Sequence, residues 1–148
     1  MQDYDAQQES EFQAGIPPRL VSVFYSVFDQ YKGPIVIFEV PEGSTIPTEK
    51  STPIIDFDSI SEYIIPKPAL CGHLVNICTE SCKVMGFPVN IRNADKYDRV
   101  YFMFNLCFVF DREADTSSYE PVVRKVARVL TSLEVSCCVM STHLIYCN

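Results

Sequence analysis

Residues 100–110 read VYFMFNLCFVF, eleven positions that are apolar on both sides of an alternating backbone, with Asn105 in the middle. Side chains of a strand point to opposite faces in turn, so a strand apolar on both faces belongs at the centre of a sheet that is covered on either side. The run is far short of the roughly 20 apolar residues that cross a bilayer as a helix. It predicts a buried central strand, and the rest of the chain is read around it. With 148 residues, 47% of them hydrophobic, the chain can close one core and is too short for two.

The segment from Arg19 into LVSVFYSVF carries the β-branched and aromatic side chains of a half or fully buried strand. DQYKGP then turns it into a second strand at 35–40 (IVIFEV), which Pro41 ends, so the opening reads as a β-hairpin. Residues 42–56 (EGSTIPTEKSTPIID) have the small polar residues and prolines of a surface insertion that looks dispensable to the core. Phe57, Ile60, Tyr63 and Ile64 recur at helical spacing behind Asp56 and Asp58, either of which suits an N-cap, and Pro66 and Pro68 stop the helix. Strands follow at 73–79 and 83–91, the latter carrying Pro88, which argues for an edge or a bulge. After the central strand, Ser117 and Glu120 form an S-x-x-E capping box for a long helix. Val122, Val126, Val129, Leu130, Leu133 and Cys137 line one face of it, and Arg124, Lys125 and Arg128 the other. The order lacks the strand-helix alternation of parallel sheets. The expected fold class is α/β of the α+β kind, a five-stranded, mainly antiparallel sheet flanked by helices. The expected organisation is a flexible acidic arm at 1–18, one domain at 19–140 with the insertion at 42–56, and a tail at 141–148.

Twelve basic against nineteen acidic side chains give a net charge of −7, which repels phosphate backbones and makes nucleic acid a poor ligand. MQDYDAQQES has neither the basic start nor the apolar run of a secretory signal, so the chain is expected to stay inside the cell. Seven cysteines (Cys71, Cys78, Cys82, Cys107, Cys137, Cys138, Cys147) include no C-x-x-C pair, and they read as reduced thiols packed as small hydrophobes. A zinc site from Cys78, Cys82 and His73 would lack the second half of its ligand set, so no metal is expected. Cys147 is penultimate and does not form a C-a-a-X box. Neither His73 nor His143 lies in a recognisable catalytic pattern, and no phosphate-cradling loop or nucleophile elbow occurs. A self-contained active site is therefore not expected.

Residues 92–99 (RNADKYDR) form a compact charged loop between two apolar strands. One reading is an ordinary solvated hairpin loop. The other is a platform that presents a side chain to a partner with little entropy left to lose on docking.

Seven strings, FYSVF at 24–28, GP at 33–34, YIIPKP at 63–68, FPVNI at 87–91, KYDR at 96–99, FNLCFVF at 104–110 and YEPVVRKVARVLTSLE at 119–134, occur in order along most of the chain. Together they resemble the N-terminal longin domain of nitrogen permease regulator 2-like proteins. The resemblance implies a subunit of the GATOR/SEAC complex, which stimulates GTP hydrolysis by Rag-type small GTPases and restrains TOR signalling when amino acids or nitrogen are scarce. It implies a nitrogen permease regulator 3-like longin partner, and peripheral recruitment from the cytoplasm to the vacuolar or lysosomal membrane. The domain itself is expected to carry no cofactor; GTP and Mg would be bound by the partner GTPase. In that family the K-Y-x-R loop carries an arginine finger, which falls on Arg99 here. Arginine suits the task because it stays protonated and presents a planar fork to the phosphoryl oxygens, where charge develops in the transition state. Such a finger is worth roughly 10³ to 10⁵ in rate, or about 4 to 7 kcal/mol.

Arg92, at the other end of the loop, is the competing arginine and, with Lys96, Tyr97 and Asp98, a candidate for partner binding. Lys96, Tyr97 and Asp98 either shape the loop or touch the GTPase. Family members continue well beyond this length, and the closing SCCVMSTHLIYCN does not match their continuation, which leaves a fragment, an alternative product or a divergent short member. The alternative function is a non-catalytic longin scaffold or trafficking module, since a fold alone does not fix an activity. An exposed sheet edge wants a partner strand, so a homodimer in isolation or a heterodimer in the cell is expected.

Overall fold

In a computed structural model, which describes residues 18–93, 95–97 and 101–137, the first two strands close into the expected hairpin. β1 (Leu20–Asp29) and β2 (Gly33–Val40) pair antiparallel. Asp29 Oδ1 accepts the amides of Tyr31 and Lys32, each at 2.8 Å, and Gly33 supplies the positive φ of +79° that returns the chain. The remaining elements are α1 (Phe57–Ile64), β3 (Val75–Cys78), β4 (Cys82–Gly86), β5 (Val89–Arg92), β6 (Tyr101–Asp111) and α2 (Glu120–Cys137). The expected acidic arm, the C-terminal tail, His143, Cys138 and Cys147 lie wholly or largely outside the described residues.

The sheet has six strands in the order β2-β1-β6-β4-β3, with β5 also pairing β6, and every pairing is antiparallel. The fold is therefore mixed α/β, an open antiparallel sheet with two helices among the described residues, of longin-like type. From Tyr101 onward the apolar run lies in the central strand, β6. Alternate side chains of β6 enter two different layers: Met103, Cys107 and Val109 pack with α1 residues Phe57, Ile60 and Ile64, while Phe110 packs with Val123 of α2, and Phe102 and Phe104 with Leu130. No helix among the described residues is long and apolar enough to cross a membrane.

Six strands replace the expected five because Pro88 interrupts the segment 83–91. β4 pairs with the distal half of β6 and β5 with its proximal half, so the proline marks a break in the ladder, with both pieces still paired to the central strand. Asn105, fully buried in the middle of β6, repairs the break: its Oδ1 accepts the Phe87 amide at 2.9 Å and its Nδ2 donates to the Ile64 carbonyl at the end of α1, also at 2.9 Å. The polar residue inside the apolar run is thus the tie between sheet break and helix end.

Other expectations are corrected. α1 is capped by Asp56, as expected, but Tyr63 points outward and is exposed. The S-x-x-E box does not form: residues Ser117–Tyr119 make a 3-10 turn, Asp115 Oδ1 accepts the Ser117 amide at 3.0 Å, and α2 starts at Glu120 itself. The buried face of α2 is Val123, Ala127 and Glu134, whereas Val122, Val129 and Leu133 are exposed. Relative to the expected face the helix is turned by roughly one residue's rotation, ~100°. Ala127 sits in the middle of that buried face. Finally, the insertion at 42–56 is not dispensable. Ser44, Thr45 and Ile55 are buried, Ser22 Oγ donates to Ser44 Oγ at 2.8 Å, and the Ile54 and Ile55 amides donate to the Ser44 carbonyl. The segment covers the α1 side of β1.

Candidate functional site

The charged loop leaves the sheet at Arg92, the last residue of β5, which pairs with Tyr101 at the start of β6. Asn93 shapes its first turn: its Oδ1 accepts the Asp95 amide at 3.0 Å, and its carbonyl accepts the amides of Lys96 and Tyr97. That turn brings Lys96 and Tyr97 back over the C-terminal end of α2.

There both side chains meet Glu134, which is 0% exposed. Lys96 Nζ lies 3.2 Å from Glu134 Oε1 and donates to the Glu134 main-chain carbonyl at 2.6 Å, while Tyr97 Oη donates to Oε1 at 3.0 Å. A carboxylate buried this far needs partners that replace its water, and the loop provides them. The carbonyl of Glu134 is one of the last four of α2, which have no acceptor role within the helix, and α2 has no basic residue in its last turn. Lys96 therefore supplies from the loop the cation that this helix end lacks.

The aromatic ring of Tyr97 continues the anchorage. It stacks on Phe102 with centroids 5.6 Å apart, Phe102 lies 5.7 Å from Phe104, and Phe104 lies 5.9 Å from Tyr25 of β1. Burial above all, then the nearby Glu134 and Tyr97, pushes the Tyr25 phenol well above its ordinary pKa. Burial also raises the phenol of Tyr97, and Glu134 adds to the rise, against the pull of Lys96. Both phenols stay neutral at physiological pH, so Tyr97 keeps the proton that it donates to the carboxylate.

Of the residues singled out in the sequence, Lys96 and Tyr97 come together on this carboxylate, and the Lys96 side chain is only 19% exposed. Arg92 is elsewhere: it is exposed at the end of β5 and borders a groove of ≈ 530 Å³ with Asn90, Arg128 and Thr131. Asp98 and Arg99 lie outside the described residues, bracketed in sequence by Tyr97 and by Tyr101 of β6. Of the zinc candidates, Cys82 is buried, with its sulfur 3.2 Å from the Thr79 hydroxyl. Glu134 and Tyr25 were missed from sequence. The available signal for Glu134 was a lone acid spaced seven residues from Ala127 and four from Leu130, on the helix face that turns out to be buried.

The family described as nitrogen permease regulator 2 matches residues 18–145. The match passes through most of the closing segment that had seemed unlike the family. Over 119 residues the chain is 39% identical to the nitrogen permease regulator 2 homolog of Schizosaccharomyces pombe, covering 80% of this chain and 29% of that protein. It is 34% identical over 125 residues to nitrogen permease regulator 2 of Saccharomyces cerevisiae, covering 84% of this chain and 19% of the relative. It is 42% identical over 85 residues to the Drosophila melanogaster protein named GATOR complex protein NPRL2, covering 57% of this chain and 21% of that one. The chain thus spans less than a third of the length of these curated relatives. With the family match running from the residue before Arg19 into the closing segment, and with 39% identity over 119 residues to a curated member, the chain belongs to the nitrogen permease regulator 2 family.

Proposed function

We propose that this domain is a GTPase-activating subunit domain that supplies Arg99 in trans to a Rag-type small GTPase. Within a GATOR-type assembly, beside a nitrogen permease regulator 3-like partner, it would restrain TOR signalling when amino acids or nitrogen are scarce. The work would be done by cytoplasmic protein recruited to the vacuolar or lysosomal membrane. Family membership and the name of the Drosophila relative, GATOR complex protein NPRL2, support the assembly. The observation that carries the catalytic reading is the anchored stem of the loop: Lys96 and Tyr97, three and two residues before Arg99, are fixed to a buried carboxylate. An arginine offered to another protein's nucleotide acts only if it arrives pre-positioned, because the charge it stabilises exists only in the transition state.

The test is single-turnover GTP hydrolysis by the Rag-type GTPase in the reconstituted assembly, with wild-type chain and with Arg99→Ala. The variant is expected to lose roughly 10³ to 10⁵ of the stimulated rate while the assembly still forms. Unchanged turnover would reject the proposal.

A second reading, a non-catalytic longin scaffold, is favoured by one observation. Apolar side chains stand exposed on the edge strand β2 (Ile37, Phe38, Val40) and along α2 (Val122, Val129, Leu133), as on a surface that meets another subunit. On that reading Arg99→Ala is silent.

A further inference from the structure

Resting on the reading of Arg99 as the finger, we infer that Glu134 is its positioning residue, acting through Lys96 and Tyr97, so that the C-terminal end of α2 sets the maximal rate at which the loop stimulates a partner's GTP hydrolysis. Leu130 precedes Glu134 by one helical turn and packs in the same cluster as Tyr97, Phe102 and Phe104. Were this site only a piece of core, an apolar side chain would fill it at no desolvation cost.

What an apolar residue could not provide is direction. Oε1 receives both Lys96 Nζ and Tyr97 Oη, and the ammonium also reaches the Glu134 main-chain carbonyl, so two consecutive loop residues are fixed to one helix position. Stacking on Phe102 orients the plane of Tyr97, and the carboxylate fixes where along that plane its hydroxyl ends. The partner strand of the loop's far end, β6, carries that same Phe102. The stem is therefore referenced to α2 at one side and to the central strand at the other. Loss of the polar tie leaves the stacking but frees the stem to slide, and a misplacement of about 1 Å at a reacting group costs on the order of 10²-fold in rate.

The experiment uses the chain in its assembly and compares wild type, Arg99→Ala, the double variant Lys96→Met with Glu134→Met, the single variant Tyr97→Phe, and Lys96→Arg. Replacing both members of a buried ion pair by apolar side chains of similar volume is often neutral for stability, so the double variant separates geometry from folding. Single-turnover rates are measured across a range of assembly concentrations, alongside amide hydrogen exchange at residues 95–97. The double variant is expected to lower the saturating rate by about 10 to 100-fold. Its half-saturating concentration should stay within about twofold of wild type, its thermal midpoint should hold, and exchange at 95–97 should accelerate. Lys96→Arg, which keeps charge and donors, should retain most of the rate.

A saturating rate within about twofold of wild type in a folded double variant overturns the inference while leaving Arg99 in place. Should the double variant not fold, Tyr97→Phe decides, since it removes one hydroxyl and keeps the ring; a wild-type rate there overturns the inference equally. A wild-type rate for Arg99→Ala rejects the finger itself, and the positioning role falls with it.

Discussion

Asn105 shows how a single polar side chain can be required by an apolar strand. It satisfies the amide released by the break at Pro88 and a carbonyl released by the end of α1, both at 2.9 Å in a site closed to water. Gly86 is what lets it sit there. A Cβ at Gly86 would meet Asn105 Oδ1 at 2.7 Å, its Nδ2 at 2.8 Å and Cys107 Sγ at 2.9 Å, and the tethered amide has nowhere to move. Asn105→Leu keeps the volume but orphans two buried groups at about 1 to 3 kcal/mol each, so a loss of about 2 to 6 kcal/mol is expected in urea unfolding. Gly86→Ala should cost about 1 to 3 kcal/mol through overpacking. Combined with Asn105→Ala, which vacates the space that the new methyl needs, it should cost clearly less than the sum of the two single losses. Additive losses would show that the glycine and the asparagine are not packed against each other as described.

Among the elements, the segment 42–56 carries the clearest pH signature. Burial pushes the Glu39 carboxyl up, but the Thr45 hydroxyl and the Thr45, Gly43 and Ile46 amides outweigh it and hold the group below its usual value. The contacts are short: Gly43 N and Thr45 N each at 2.7 Å and Thr45 Oγ1 at 2.5 Å. Because the folded value lies below the unfolded one, the stabilisation is fully present above the ordinary carboxylate range and is lost as pH falls through the folded value. Glu39→Gln should therefore be less stable than wild type at neutral pH, and the gap in urea midpoint should close on acidification. A gap independent of pH would mean that these hydrogen bonds do not favour the charged form. This packing was not legible in EGSTIPTEKSTPIID, because small polar residues read as solvated until their acceptor on a neighbouring strand is known. The strands were legible, since alternation is a local signal. The face of α2 was not: counting large apolar side chains points to Val122, Val129 and Leu133, and the buried face instead carries small Ala127 and Glu134, whose place is set by what it reaches across the fold. For the same reason the loop at 92–99 stood out by charge contrast, while the carboxylate that holds it had the look of an ordinary surface acid.

At the scale of the whole molecule, the two helical layers are not independent, because they are built on opposite faces of the same strands. β6 gives Cys107 and Val109 to the α1 layer and Phe102, Phe104 and Phe110 to the α2 layers, and β4 divides Val84 and Met85 in the same way. Opening either layer to water exposes a sheet whose other face is still committed, so neither layer should survive loss of the other, and unfolding should be a single transition. Two probes separate the faces. Cys107 is fully buried on the α1 side, with a thiol that burial holds protonated, and it reacts only when that layer opens. Tyr25, Tyr97 and Tyr119 pack on the α2 side and Tyr101 on the α1 side, so in a Tyr101→Phe background the change in tyrosine emission reports the α2 side, in a chain that has no tryptophan. In urea, mass-spectrometric labelling of Cys107 and tyrosine emission are expected to share one midpoint. Labelling that precedes the emission change by more than about 0.5 M would show the α1 layer opening alone, and the loop with its α2 clamp would then be the more stable half of the domain.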